Sequence, residues 1–188
     1  SYQAAGVWST GGVLGTARYF AQNGAGTQNA ALVFGGQAPV KYNTESYDGT
    51  AWTEVNDMSR APADTTGMGA GGTQTSALAA GTQPFSTLSE SWDGTCWTST
   101  PALNSGRGYL AGSIESNTAG IVYGGLGPPT GVALTELYNG STWSEVADLN
   151  TARRSNAGVG SSTAALGMGG YSGGNVANCE SWDGSCWT

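Results

Sequence analysis

The chain has 188 residues and a formal net charge of −7, with 6 lysine and arginine residues against 13 acidic residues and no histidine. Nucleic acids and anionic membranes both attract clustered cations, so this balance argues against either as a partner. No apolar run approaches the roughly 20 residues of a spanning helix, so membrane insertion is not expected. Seven Trp and eight Tyr argue against disorder, and the length predicts a single domain, residues 1–188.

Four copies of one hairpin formula organise the sequence. The formula is Glu, usually Ser, an aromatic residue, Asp or Asn, Gly, two small residues and Trp. The copies occupy residues 45–52, 90–97, 136–143 and 180–187. Gly after Asp or Asn tolerates the positive φ of a tight turn, so each copy predicts a β-hairpin.

The tryptophan that ends each hairpin sets a period of about 45 residues. Five such residues delimit four repeats, approximately 9–52, 53–97, 98–143 and 144–187. In chain order, each repeat holds an arginine with a Gly/Ala-rich run, a short apolar run, a variable loop and the hairpin. The apolar run is too short for a helix and is bounded by glycine, which predicts a strand buried on both faces.

Four short strands per period of about 45 residues predict an all-β fold, a β-propeller with one four-stranded antiparallel blade per repeat. The repeats form either a four-bladed ring or part of a larger propeller. Trp8 supplies a fifth copy of the final strand, which favours a longer array. Open blade edges would then lead the isolated chain to associate with itself or with further blades.

The repeat resembles the kelch repeat of galactose-oxidase-like propellers. Residues 32–36 with Tyr47, Asp48 and Trp52 carry the resemblance best, followed by residues 121–125 with Tyr138 and Trp143. The turn between Asp and Trp is shorter than in most kelch repeats. The Gly/Ala/Thr-rich style is similar to kelch-like arrays of bacteriophage and marine bacterial surface proteins. The resemblance implies a propeller, which in some relatives is one domain of an enzyme.

The residues present argue against catalysis. Without histidine, the chain lacks the commonest general base, a Ser-His-Asp arrangement and the histidine ligands of a galactose-oxidase copper site. Its carboxylates recur at equivalent places, whereas a catalytic site brings different groups together once. One Asp per turn is far short of the six to eight oxygens that calcium takes. We therefore expect no catalytic residue, no cofactor and no metal.

Arginine and glutamate recur once per repeat, which predicts structural ion pairs within or between blades. Arg offers two parallel donors to a carboxylate, so a one-to-one match fits that role. The alternative is a ring of Arg that binds an anion. The residues are Arg18, Arg60, Arg107 and Arg153 with Glu45, Glu90, Glu136 and Glu180. The hairpin tryptophans are predicted to fill the wedges between blades, namely Trp8, Trp52, Trp97, Trp143 and Trp187.

The residues just before each turn leave two interpretations open. The aromatic rings pack between blades, or they are exposed and stack on sugars while the following Asp or Asn binds hydroxyls. Several equivalent weak sites would add avidity for a multivalent target. The candidates are Tyr47, Asp48, Trp92, Asp93, Tyr138, Asn139, Trp182 and Asp183.

The three cysteines, Cys96, Cys179 and Cys186, are an odd number, so at least one thiol is unpaired within the chain. With a two-residue turn, Cys179 and Cys186 would be diagonal neighbours, within reach of a strained disulfide. Small, buried and inert cysteines are the favoured interpretation.

The sequence predicts a non-enzymatic recognition or adhesion module, outside a cell or on a virion, that binds a surface glycan or a protein. The first alternative is a structural module that decorates a larger assembly. The second is the propeller domain of a galactose-oxidase-like or glycosidase-like enzyme whose catalytic residues lie elsewhere.

Overall fold

The computed structural model describes residues 10–19, 24–37, 42–59 and 67–188, and Trp8 and Arg60 lie outside these ranges. The described residues form fifteen strands and contain no helix that could span a membrane. The strands are β1 (Gly24–Thr27), β2 (Ala30–Phe34), β3 (Thr44–Tyr47), β4 (Trp52–Val55), β5 (Gly69–Thr73), β6 (Ser76–Thr82), β7 (Ser86–Trp92), β8 (Trp97–Ser99), β9 (Ala111–Ser116), β10 (Ala119–Tyr123), β11 (Thr135–Tyr138), β12 (Trp143–Glu145), β13 (Ala157–Gly160), β14 (Ala165–Met168) and β15 (Cys179–Trp182).

The strands form four antiparallel sheets, each a meander of consecutive strands: β1 to β4, β5 to β8, β9 to β12, and β13 to β15. This confirms an all-β fold with four propeller-like blades, numbered here 1 to 4 in chain order. In blade 4 a bridge between Trp182 and Trp187 takes the place of the fourth strand. Reciprocal backbone hydrogen bonds between Ser181 and Thr188 extend it.

Each blade has two different faces. In β2, Leu32 and Phe34 point to one side and Val33 to the other, and all three are buried. We call the Leu32 and Phe34 side, which packs on the following blade, the forward face. The opposite side carries the aromatic pair of the hairpin and packs on the preceding blade, so we call it the aromatic face.

Three apolar clusters join the four blades in order. In the first, Leu32 and Phe34 of blade 1 meet Ala77, Ala79 and Trp97 of blade 2. In the other two, the forward faces of blades 2 and 3 meet the aromatic faces of blades 3 and 4. The main contributors are Leu78 and Ala80 with Val122, Tyr138 and Trp143, and then Ile121 and Tyr123 with Ala165, Trp182 and Trp187.

Two of these interfaces share a polar contact as well as ring packing. The centroids of Phe34 and Trp97 lie 4.7 Å apart, and the Nε1–H of Trp97 donates to Oγ1 of Thr44 at 2.9 Å. In the third interface, Trp187 donates to Thr135 at 3.2 Å. Both donors and both acceptors are buried, so the preceding blade satisfies the indole N–H of Trp97 and of Trp187. The buried indole N–H of Trp143, between blades 2 and 3, has no hydrogen-bond partner among the described residues.

The first strands of the blades lie side by side, β1 against β5, β5 against β9, and β9 against β13. They approach so closely that small residues are required. A Cβ added at Gly112 would lie 2.9 Å from the backbone nitrogen of Ala70. The Gly/Ala-rich runs of the sequence therefore line the axis.

Thr44→Val removes the acceptor of the buried Trp97 indole while keeping the side-chain shape. We expect the free energy of unfolding to fall by about 1–3 kcal/mol, because the indole N–H is left without a partner. Urea unfolding measures this change. Thr53→Val, at an exposed position of β4, is the matched control and should stay within about 0.5 kcal/mol of the unsubstituted chain. An equal fall in the free energy of unfolding for both variants would contradict the hydrogen bond assigned between Trp97 and Thr44.

Candidate functional site

The hairpin turns hold four residues rather than two. Tyr47 pairs with Trp52 across the ladder, so residues 48–51 form the turn, and the predicted two-residue loop is wrong. Oδ1 of Asp48 accepts the backbone N–H groups of Thr50 and Ala51 at 2.8 and 2.9 Å, and Gly49 takes φ +94°. The same geometry recurs at the other three turns, around Asp93, Asn139 and Asp183.

The turn hydrogen bonds also set the charge of these carboxylates. Donation from Ala51 and then Thr50 holds the pKa of Asp48 below its usual value. For Asp183 the Ser185 hydroxyl is the first cause, followed by backbone donors, and the pKa falls to about 2. In the ionised form, one oxygen of each of these exposed carboxylates therefore accepts hydrogen bonds from the backbone of its own turn.

Three of the four candidate aromatic residues are buried, which matches the packing interpretation. Trp92, Tyr138 and Trp182 are only 2–3% exposed. The indole N–H of Trp92 donates to the carbonyl of Gln74 at 2.9 Å, and burial raises the pKa of the Tyr138 phenol. Tyr47 is half-buried, and its ring centroid lies 4.9 Å from that of Trp52. At three of the four turns, then, the ring is closed off from a sugar.

Among the described residues, arginine and glutamate pair within blades 1, 3 and 4, and the arginine of the second repeat, Arg60, lies outside the described ranges. Arg18 contacts Glu45 at 2.6 Å, Arg107 contacts Glu136 at 2.5 Å, and Arg153 contacts Glu180 at 3.1 Å. The arginine side chains are fully buried, so these three do not form a solvent-facing ring. The pairs belong to the scaffold.

Each glutamate also binds the segment that leads into the first strand of its blade, which we call the crossover. Oε2 of Glu136 accepts the backbone N–H of Asn104 at 2.7 Å, and Glu90 accepts that of Ser59 at 2.9 Å. The paired arginine follows this first donor by three places in blades 1, 3 and 4. In blade 2 the backbone donor is Ser59, and the residue three places after it is Pro62, while Arg60 follows it directly. The arginine of blade 2 is therefore two positions earlier than the arginines of the other blades.

The cysteines differ from the favoured expectation. Cys96, Cys179 and Cys186 are free and exposed, not buried. With a four-residue turn, Cys186 lies within the turn, where its Sγ is 3.7 Å from Oδ2 of Asp183. It therefore does not face Ser181 across the ladder, and the geometry for a disulfide with Cys179 is absent.

The exposed aromatic residues lie at the other end of the blades, which we call the loop end. It is formed by the crossovers and by the loops between the second and third strands. Among the described residues, the exposed aromatic side chains are Tyr19, Tyr42, Phe85 and Tyr171. All four belong to these connections. The variable loops, not the repeated turns, carry the open aromatic surface.

A cleft of ≈420 Å³ opens on the axis where the first strands begin. Its lining includes Gly67, Tyr109 and Ser155, which hold equivalent places in blades 2, 3 and 4. All three adopt positive φ, at +65°, +53° and +56°. Non-glycine residues in this region cost roughly 1–3 kcal/mol each and gather at functional sites. The volume suits a small ligand.

Asn156 also lines this cleft and stands out in the repeat. It occupies the place of Met68 in blade 2 and Leu110 in blade 3, where the slot is apolar. The residue is 8% exposed, and within the described ranges neither its amide oxygen nor its nitrogen has a hydrogen-bond partner. A buried amide without a partner costs about 1–3 kcal/mol, so it requires a reason.

A second cleft at the loop end lies beside Arg154 and Tyr171. Its volume is ≈410 Å³, and residues 126, 129–131 and 172–173 complete much of its wall. The guanidinium of Arg154 stacks over the Tyr171 ring, 4.8 Å from its centroid. The loop end therefore combines open rings, a stacked cation and an unpartnered amide.

None of these loop-end residues was among the sequence candidates. The sequence does hold a signal for the axial cleft, since a polar Asn156 in a place of Met and Leu breaks the repeat. Tyr109 and Ser155 at a place of Gly67 break it too. Three aromatic residues of the formula, Trp92, Tyr138 and Trp182, are buried between blades, while residues that depart from the repeat line the axial cleft.

In the part of the chain that the structure describes, no three His, Cys, Asp or Glu side chains come together in a way that could hold a metal ion. No protein-family model matches the chain, and no curated protein matches it.

Arg107→Ala should lower the free energy of unfolding by about 3–5 kcal/mol, because it leaves the buried Glu136 without its cation. Arg154→Ala, which removes the cation stacked on Tyr171, should cost only about 0.5–1 kcal/mol. Chemical denaturation of both variants gives the comparison. The double variant Arg107→Met with Glu136→Leu should recover part of the loss. A double variant less stable than Arg107→Ala would contradict this account.

Proposed function

We propose that this chain is a non-enzymatic recognition module that binds saccharides at its loop end. The observation that supports the proposal is that the axial cleft and the exposed aromatic residues share this end. Loops carried on a rigid sheet scaffold are where binding residues concentrate. The repeated turns at the opposite end are occupied by their own hydrogen bonds.

The chemistry of the loop end fits a sugar. Flat rings such as Tyr171 and Phe85 stack on the apolar face of a pyranose. An amide such as Asn156 both donates and accepts, so it suits a pair of neighbouring hydroxyls. The oxygen and nitrogen of the Asn156 amide are buried beside the cleft, so a hydroxyl pair would become their partner once the side chain turns toward the cleft. No catalytic residue is assigned.

We also propose that the repeat is a kelch repeat, which the pattern of an apolar run, Gly-Gly and Tyr-Asp supports. We further propose that the module acts in adhesion, outside a cell or on a virion, which its repetition, low charge and recurrent aromatic residues support. A protein ligand on the same surface is the alternative within this proposal.

A structural module within a larger assembly is the second candidate function. The burial of Trp92, Tyr138 and Trp182 favours it, because it turns the repeated aromatics into scaffold. A scaffold that binds nothing has no use for an unpartnered amide in a cleft. For that reason we place recognition first.

Asn156→Leu separates the two functions, because leucine is the residue that blade 3 carries at this place. A glycan array with the unsubstituted chain identifies the bound saccharide, and calorimetry measures its affinity. We expect Asn156→Leu to weaken binding at least about tenfold, or 1.4 kcal/mol. We also expect the free energy of unfolding to rise by about 1 kcal/mol, since a buried amide without partners is removed.

Asn117→Leu makes the same chemical change at the end of the blades opposite the loop end, and it should leave saccharide binding unaltered. Tyr171→Ala tests the stacking surface and should weaken binding with little loss of stability. An array with no bound saccharide would sink the glycan proposal. Full binding by Asn156→Leu would exclude the axial cleft as the site.

A further inference from the structure

In the described part of the chain, one forward face and one aromatic face of the four blades meet no other blade. Each of the three interfaces between blades pairs a forward face with an aromatic face. The aromatic face of blade 1 and the forward face of blade 4 remain. Among the described residues, β1 and β13 do not pack against each other as β1 packs on β5. The two end faces therefore do not close on one another.

The aromatic face of blade 1 is an open socket. Tyr47 and Trp52 are half-buried, whereas Trp97 and Trp143 at the same place as Trp52 are 5% exposed. A cleft of ≈380 Å³ lies along this face, and its lining includes Ala31, Val33 and Trp52. In blade 2 the matching space is filled by Leu32 and Phe34 of blade 1.

The forward face of blade 4 carries the side chains that would fill such a socket. Leu166 and Met168 hold the places of Leu32 and Phe34, but they are only half-buried. Val159 pairs with Leu166 on the same face and is 54% exposed. The face is apolar and matches the other forward faces in residue class.

We propose that a second copy of this chain docks head to tail, with the forward face of blade 4 against the aromatic face of blade 1. This contact would continue the array of blades, because it repeats an interface that the chain already builds three times. Met168 would lie over Trp52 as Phe34 lies over Trp97. This proposal does not depend on the proposed saccharide site.

Cys179 marks the place where this interface is incomplete. It pairs with Met168, as Thr44 pairs with Phe34 and Thr135 with Tyr123. Both threonines accept the indole N–H of the next blade. The exposed Cys179 offers a weak sulfur acceptor to Trp52 of the second copy.

Electrostatics oppose this docking, since each copy carries a formal charge of −7. Salt screens such repulsion, and apolar contacts do not weaken under the same conditions. Association should therefore tighten as ionic strength rises, the reverse of an interface held by opposite charges.

A mixing experiment with two single-face variants tests the proposal. Sedimentation velocity of the unsubstituted chain, over two decades of concentration, should show reversible association. Met168→Glu disables the forward face and Trp52→Glu the aromatic face, so each alone should sediment as a monomer. An equal mixture should form a dimer and stop there, because one intact face of each kind remains.

Val159→Glu, at an exposed position of the same forward face, should behave like Met168→Glu even if the latter fails to fold. Ser144→Glu adds the same charge at an exposed position of β12, remote from both end faces, and should associate like the unsubstituted chain. A monomer at every concentration would overturn the proposal. So would a mixture of folded single-face variants that stays monomeric, or unchanged association of folded Val159→Glu.

Cys179→Thr and Cys179→Val form an isosteric pair that tests the contact itself. The threonine should tighten association about fivefold, the effect of one net hydrogen bond of about 1 kcal/mol. The valine should not tighten it. Equal affinities for the two variants would overturn the assigned contact between position 179 and the indole N–H of Trp52.

Discussion

The fold depends on a buried carboxylate in the third strand of each blade. Glu136 is fully buried, and its oxygens accept from Arg107, from the backbone of Asn104 and Ser105, and from the Asn104 amide. An ionised group taken out of water is tolerated only when its partners are in place. The crossover that supplies those partners therefore has a single path over the blade.

The same crossover is bound to the preceding blade. The backbone N–H of Leu103 donates to Thr87 and that of Arg107 to Ser86, both in or beside β7 of blade 2. The segment between blades 2 and 3 is thus held by backbone bonds on one side and by Glu136 on the other. Blades 3 and 4 repeat this through Leu149, Arg153 and Glu180. The relative position of neighbouring blades follows from these bonds.

The sequence predicted the blades because their strands are short, alternate clearly and end at glycine. It failed where two geometries share one signal. Asp-Gly suits both a two-residue and a four-residue turn, and the choice of four comes from the Asp48 side chain, which binds two backbone N–H groups. That choice places Cys186 in an exposed turn. The repeat pattern does not predict the loop end, because Asn156 and Tyr109 are exceptions to the residues at the equivalent places of the other blades.

The difference between the two faces of a blade limits how such a chain can associate. A dimer that set forward face against forward face would leave Trp52 of each copy uncovered, whereas a two-fold dimer in which each forward face meets the aromatic face of the other copy would cover both. Met168 packs into a space beside a tryptophan, and the forward face of blade 4 offers none, since Trp187 lies on its other side in contact with Tyr123. Only a contact between unlike faces covers both ends. Because the two faces of each blade differ, every contact between blades has the same order, forward face on aromatic face. The same order holds between two copies of the chain.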